Sequence, residues 1–85
     1  MPNPAAGSVS IAFYLPARAA TRVTIDGVAG RPVRTLLDGV YEAGYHSADW
    51  DGHDEKGERV RAGIYFYRLI VNGNSIGERR VKILK

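Results

Sequence analysis

Eighty-five residues, 45% hydrophobic and 25% charged, have the length and composition of one globular domain, which excludes a second core and a disordered tail. With no cysteine there is no disulfide framework, and no run approaches the roughly 20 apolar residues of a membrane-spanning helix. A domain of this size buries only about 60–65% of its unfolded surface, so it must close on hydrophobic packing alone or lean on a larger parent.

The net charge of +3 is unevenly placed. Arg68, Arg79, Arg80, Lys82 and Lys85 face a single acid, Glu78, in the last part of the chain, while seven bases and eight acids share the rest. This basic excess suits either an acidic partner or a solvated strand whose lysines and arginines guard a sheet edge. No nucleic-acid recognition motif accompanies it, so nucleic acid is not expected as a partner.

In chain order, residues 1–7 (Pro2-Asn3-Pro4-Ala5-Ala6-Gly7 after Met1) read as the end of an interdomain linker. They lack the basic and apolar regions of a signal peptide, so export requires a signal further upstream in a longer parent. Val9, Ile11, Phe13 and Leu15 then alternate with Ser8, Ser10, Ala12 and Tyr14, giving a first strand stopped by Pro16. Residues 17–20 have helix propensity but are too few for a stable helix, and Val23 and Ile25 resume the alternation. Gly30-Arg31-Pro32 reads as a turn, 33–37 as a short strand, and Asp38-Gly39 and Ala43-Gly44 as further turns.

Residues 45–50 form a strand with His46, Ala48 and Trp50 on one face, and the polar stretch 51–59 is a loop. The longest strand is expected over 62–72, with Tyr65, Tyr67, Leu69 and Val71 inward and Ile64, Phe66, Arg68 and Ile70 outward. Asn72-Gly73-Asn74 marks a hairpin, and the last strand, 75–84, sets Val81 and Ile83 opposite Lys82. Short strands at such spacing, with Gly, Pro, Asn and Asp between them, predict an all-β antiparallel sandwich over residues 8–85.

Little in the chain suggests catalysis. Ser47, His46 and Asp49 or Asp51 are neighbours on one strand, where side chains alternate faces and cannot assemble a triad. Asp49, Asp51, Asp54 and Glu55 offer several oxygens within seven residues, as calcium requires. Their spacing is not that of an EF-hand loop, and the simpler reading is turn chemistry, with aspartates accepting backbone N–H groups. No metal or cofactor is therefore assigned. Trp50, Tyr65, Phe66 and Tyr67 raise a sugar-stacking platform as a competing reading, but the single Trp of a small domain is expected between the sheets.

Together these residues resemble a known family. Gly30-Arg31-x-Val33-x-x-Leu36, Ala43-Gly44-x-His46, Trp50-Asp51-Gly52-x-Asp54-x-x-Gly57 and Val60-x-x-Gly63-x-Tyr65-x-Tyr67-Arg68-Leu69 are similar to the Ig-like domain of the flagellar hook-capping protein. They are also similar to the related C-terminal sorting domain of type IX secretion cargo. Asn3-Pro4 ahead of the 9–15 alternation, and the ending Val81-Lys82-Ile83-Leu84-Lys85, resemble the sorting branch. One departure is Asp26-Gly27, where the family carries an aromatic and then an aspartate before the Gly-Arg turn. A strand that ends early or a bulge that shifts the register would each produce it.

The resemblance implies an Ig-like sandwich of about seven strands, with Gly30, Arg31, Gly44, Trp50, Asp51, Gly52, Asp54, Gly57, Gly63, Tyr65 and Tyr67 in structural and turn roles. It also implies a non-catalytic sorting and surface-attachment domain of a larger exported protein, secreted or at the cell surface. The partners expected are a secretion translocon or cell-surface machinery and the parent's upstream domains, the domain itself being monomeric. Candidate recognition residues are Arg79, Arg80, Lys82 and Lys85, with Arg31, Arg34, Arg59 and Arg61 as a second set. The alternatives are a structural domain of a hook-capping protein and a carbohydrate-binding or spacer module of a secreted enzyme.

Overall fold

The computed structural model describes residues 8–84, so the expected linker over 1–7 and the terminal Lys85 lie outside it. The described chain folds as β1 (Val9–Leu15), β2 (Ala19–Asp26), a short 3-10 turn (Val28–Gly30), β3 (Pro32–Tyr41), β4 (Gly44–Trp50), β5 (Gly63–Val71) and β6 (Asn74–Ile83). An isolated bridge joins His53 to Arg59 between β4 and β5. The fold is the all-β Ig-like sandwich expected, with β1 and β4 in one sheet and β3-β2-β5-β6 in the other, every pair antiparallel.

Strand periodicity of two builds the core directly. On β1 every second residue is buried, and Val9, Ile11, Phe13 and Leu15 meet Val23 and Ile25 of β2, Trp50 of β4, and Val81 and Ile83 of β6. On β5 the odd residues Tyr65, Tyr67, Leu69 and Val71 pack against this core, so Arg68 does mark the outer face. Thr21, buried among apolar neighbours, satisfies its hydroxyl by donating to the Ala19 carbonyl at 3.0 Å.

Bulges break the periodicity where the sequence does. Val23 pairs with Leu37 but Thr24 with Thr35, so Leu36 is an extra residue. Leu36 and Leu37, adjacent in sequence, can therefore both pack on the core, which strict alternation forbids. A second shift falls between Ile25 and Asp26, at the dipeptide that departs from the family pattern, and makes Val33 the extra residue. Both explanations for that departure are present: the register shifts at Asp26, and β2 ends there.

Asp38-Gly39 is not a turn. Asp38 pairs with Arg22 and Gly39 with Thr21, and β3 runs on to Tyr41 opposite Ala19. Eight residue pairs of ladder with β2 outweigh the local turn preference of the dipeptide. Asn72-Gly73 is the tight turn expected, with φ of +51° and +84°, the left-handed pair of a type I′ hairpin. Asn72 also ties the hairpin to β2, since its amide donates to the Ala20 carbonyl at 2.8 Å and its Oδ1 accepts from the Ala20 amide at 3.2 Å.

Candidate functional site

The loop from Asp51 to Arg59 is organised by its own carboxylates. Asp54 Oδ1 accepts from the backbone amides of Lys56 (2.9 Å) and Glu58 (3.0 Å), and the Asp54 amide donates to the Glu58 carbonyl at 2.8 Å. Glu55 closes the loop onto the outer edge of β3: its Oε2 accepts from the Thr35 amide at 2.7 Å, and its own amide donates to the Val33 carbonyl at 3.2 Å. Asp51 Oδ1 accepts from the His53 amide (3.0 Å) and pairs with Arg34 Nη1 at 2.9 Å. Each of these carboxylates is thus engaged separately. Among the described residues no group of three or more His, Cys, Asp or Glu is placed to hold a metal ion.

Slight burial opposes ionisation of Asp51, but the His53 amide, the His53 ring and the Arg34 guanidinium together hold its carboxyl below the usual range. A folded-state pKa below the unfolded value of about 3.9 gives stability that is complete above that pH and is lost as pH falls through the folded value. Because Asp51 is exposed, the effect is small and salt-sensitive. Thermal melts between pH 2 and 6 should show Asp51→Asn with a flatter acid limb than the wild type, and parallel limbs would contradict this.

Trp50 lies at the root of the loop, fully buried, with its indole N–H donating to the His53 carbonyl at 2.9 Å and its ring set edge-on to Tyr65 at 5.4 Å. It is therefore part of the core and presents no stacking face. The Tyr65 hydroxyl donates to the Arg61 carbonyl at 2.7 Å, and Tyr67 packs against the core beside it. Gly30, Gly44, Gly52, Gly57 and Gly63 all sit at strand ends or turns with φ between +74° and +153°. Arg31 closes the 3-10 turn, where the Gly27 amide donates to the Arg31 carbonyl at 2.7 Å.

His46 faces inward, stacked on Phe13 at 5.5 Å and edge-on to Tyr41 at 5.6 Å. Its Nε2 lies 2.7 Å from the Glu42 carbonyl, which can only accept, so that nitrogen carries a proton. Ser47 and Asp49 point to the opposite, exposed face of β4, so the three do not assemble. An exposed aromatic pair missed in the sequence is Tyr14 beside Tyr45, partners across β1 and β4 with centroids 4.9 Å apart. Alternation on β1 had put Tyr14 outside, but only the register brings Tyr45 against it. The rings are tilted by 53° and make no flat platform.

The basic terminal strand is divided by its geometry. Arg80 and Lys82 lie on the outer face with Glu78, while Arg79 turns to the slot between the sheets with Ile11, Phe13, Tyr67 and Leu69. Three of the second set converge instead, while Arg59 stays on the loop in its bridge with His53. Arg31, Arg34 and Arg61 all line one groove at the end of the sandwich, about 980 Å³ in volume, between the 3-10 turn and the segment from Asp54 to Tyr65. Lys56, which the sequence did not single out, joins them because the Asp54 turn carries it to the rim. Ile25, Val33, Val60 and Tyr65 form the apolar floor.

A profile of the FlgD Ig-like domain matches residues 3–75. Among solved structures, the chain is similar to FlgD from Pseudomonas aeruginosa at 24% identity and a TM-score of 0.65, covering 86% of this chain and 58% of that one. It is similar to a truncated FlgD from Helicobacter pylori at 21% identity and a TM-score of 0.65, covering 92% and 62%. A more distant likeness, TM-score 0.52 at 17% identity over 92% of this chain and 24% of the other, is to Pseudomonas fluorescens AlkC, an alkylpurine DNA glycosylase bound to DNA. These identities establish the fold alone. This chain thus spans about three fifths of the FlgD chains it matches. No curated protein sequence matches it.

The type IX sorting role expected from the sequence is overturned by these matches, which fall on the hook-capping branch. The features that suggested sorting have structural causes. The 9–15 alternation is a half-buried strand of the sandwich, and the lysine and arginine near the end lie on the outer face of an edge strand whose inner residues complete the core. With a match extending over residues 3–75, this chain belongs to the FlgD Ig-like domain family.

Proposed function

We propose that this chain is a non-catalytic assembly module, acting as the Ig-like domain of a hook-capping type protein. The observation that carries this reading is the family match over residues 3–75, supported by the shared sandwich of the two FlgD structures. The geometry agrees: the polar side chains that suggested chemistry are engaged in turns and packing, and the surface offers a contact groove. Among the described residues no helix is long and apolar enough to cross a membrane. In this proposal the remaining length of a FlgD-like parent supplies the other contacts that assembly needs.

The test is an in-frame deletion of residues 8–84 in the organism that carries the chain, with hooks counted by electron microscopy and motility scored on soft agar. Loss of complete hooks, restored by the intact gene, is the expected result. Normal hooks and motility in a strain shown to have lost the domain would overturn the proposal.

A further inference from the structure

We propose that the groove at the end of the sandwich binds an extended acidic peptide of a partner protein, which adds to β5 where β2 leaves it. The pairing of β2 with β5 ends at Asp26 opposite Phe66, yet β5 begins three residues earlier at Gly63. Beyond Asp26 the chain leaves the ladder at Gly27 for the 3-10 turn, which is fixed by the Gly27 to Arg31 hydrogen bond and stays close to β5 without pairing with it. The β2-facing side of residues 63–65 is thereby left without a strand partner, and it opens into the groove. An extended peptide can take up the missing ladder positions, the interaction by which strand addition gains affinity from main-chain hydrogen bonds.

The side chains define what kind of peptide fits. The floor of Ile25, Val33, Val60 and Tyr65 accepts an apolar residue, and Val28, 64% exposed on the lip, extends that surface. The acids around the groove are committed elsewhere: Asp54 to the amides of Lys56 and Glu58, Glu55 to the Thr35 amide, Asp26 to Arg68 at 3.6 Å. Arg34 is held by Asp51. Arg31, Lys56 and Arg61 line the groove with charged groups that have no hydrogen-bond or ion-pair partner among the described residues. A β-prone peptide with apolar residues flanked by glutamates or aspartates meets the floor, the open strand and these three cations at once. Both walls are braced in advance, by the 3-10 turn on one side and by the Val60 amide bonded to the Gly52 carbonyl (2.8 Å) on the other. Little ordering cost therefore falls on the protein side.

Binding here does not require the hook-capping role, and it can be read on the isolated chain. The probe is a fluorescein-labelled heptapeptide, Glu-Glu-Val-Thr-Val-Glu-Glu, compared by anisotropy with the same peptide carrying lysine for each glutamate. Saturable binding of the acidic peptide, about tenfold or more tighter than the lysine form and weakened by salt, is the expected result. The triple variant Arg31→Ala, Lys56→Ala, Arg61→Ala should weaken it about tenfold or more, and Val28→Glu at the lip should weaken it without touching the core. In 15N-labelled protein the amide shifts should concentrate at residues 63–65 and on the 3-10 turn, and the same spectra verify that each variant is folded. No saturable binding of the acidic peptide, equal binding of both peptides, undiminished binding by a folded triple variant, or shifts confined to another face would overturn the proposal.

Discussion

Replacing Trp50 by alanine is expected to remove a large part of the domain's stability. The side chain is fully buried between the sheets and touches the core from β4, with Tyr65 of β5 edge-on against it. Truncating such a residue costs about 3–5 kcal/mol, out of a total that is only about 5–15 kcal/mol for a typical domain. Since 1 kcal/mol moves the midpoint of a domain this size by about 4–8 °C, the melting temperature should fall by about 12 °C or more. Far-UV circular dichroism is the appropriate probe, because the only tryptophan is the residue removed. Trp50→Phe separates two contributions: it retains much of the ring contact but removes the donor to the His53 carbonyl, which should cost about 1–2 kcal/mol. A Trp50→Ala midpoint within a few degrees of wild type would mean that the ring is not the keystone between the sheets.

The second large effect is expected at Ile83, and its contrast with Lys82 distinguishes structure from recognition on the terminal strand. Ile83 is 1% exposed and lies on the inner face of β6 opposite Gly63. Ile83→Ala should cost about 2–5 kcal/mol in urea denaturation. The next residue towards the N-terminus, Lys82, projects from the exposed outer face, and Lys82→Ala should stay within about 0.5 kcal/mol of wild type. Equal losses at the two positions would show that the strand is not seated with the register described. Because Ile83 anchors β6 beside the start of β5, loosening it should also weaken peptide binding in the groove, whereas Lys82→Ala should not.

The residues that suggested a site in the sequence were sorted by structure into three kinds. Asp51 and Asp54 proved to be turn builders, each carboxylate accepting backbone amides that the loop would otherwise leave open. Trp50, Tyr65 and Tyr67 are core or core-lining residues. The basic residues divide by location: those of the last strand are dispersed over two faces, whereas Arg31, Arg34 and Arg61, more than twenty-five positions apart at the extremes, converge on one groove. Local sequence could name them as candidates but could not choose between the sets, because convergence depends on how β3, the loop and β5 are brought together.

The sequence by itself determined the all-β class, the inner face of β1, β4, β5 and β6, and the Asn72-Gly73 hairpin. Each is written in a local code: period-two alternation for the faces, and a dipeptide tolerant of positive φ for the turn. It also located the irregularity at Asp26-Gly27, though not its form. Tertiary structure alone decided the rest. Asp38-Gly39 is drawn into a strand because pairing with Thr21 and Arg22 outweighs turn preference, and bulges let Leu36 and Leu37 share the core. The early departure of β2 from β5 opens the groove, since strand partnership is a non-local property that no short stretch of sequence records.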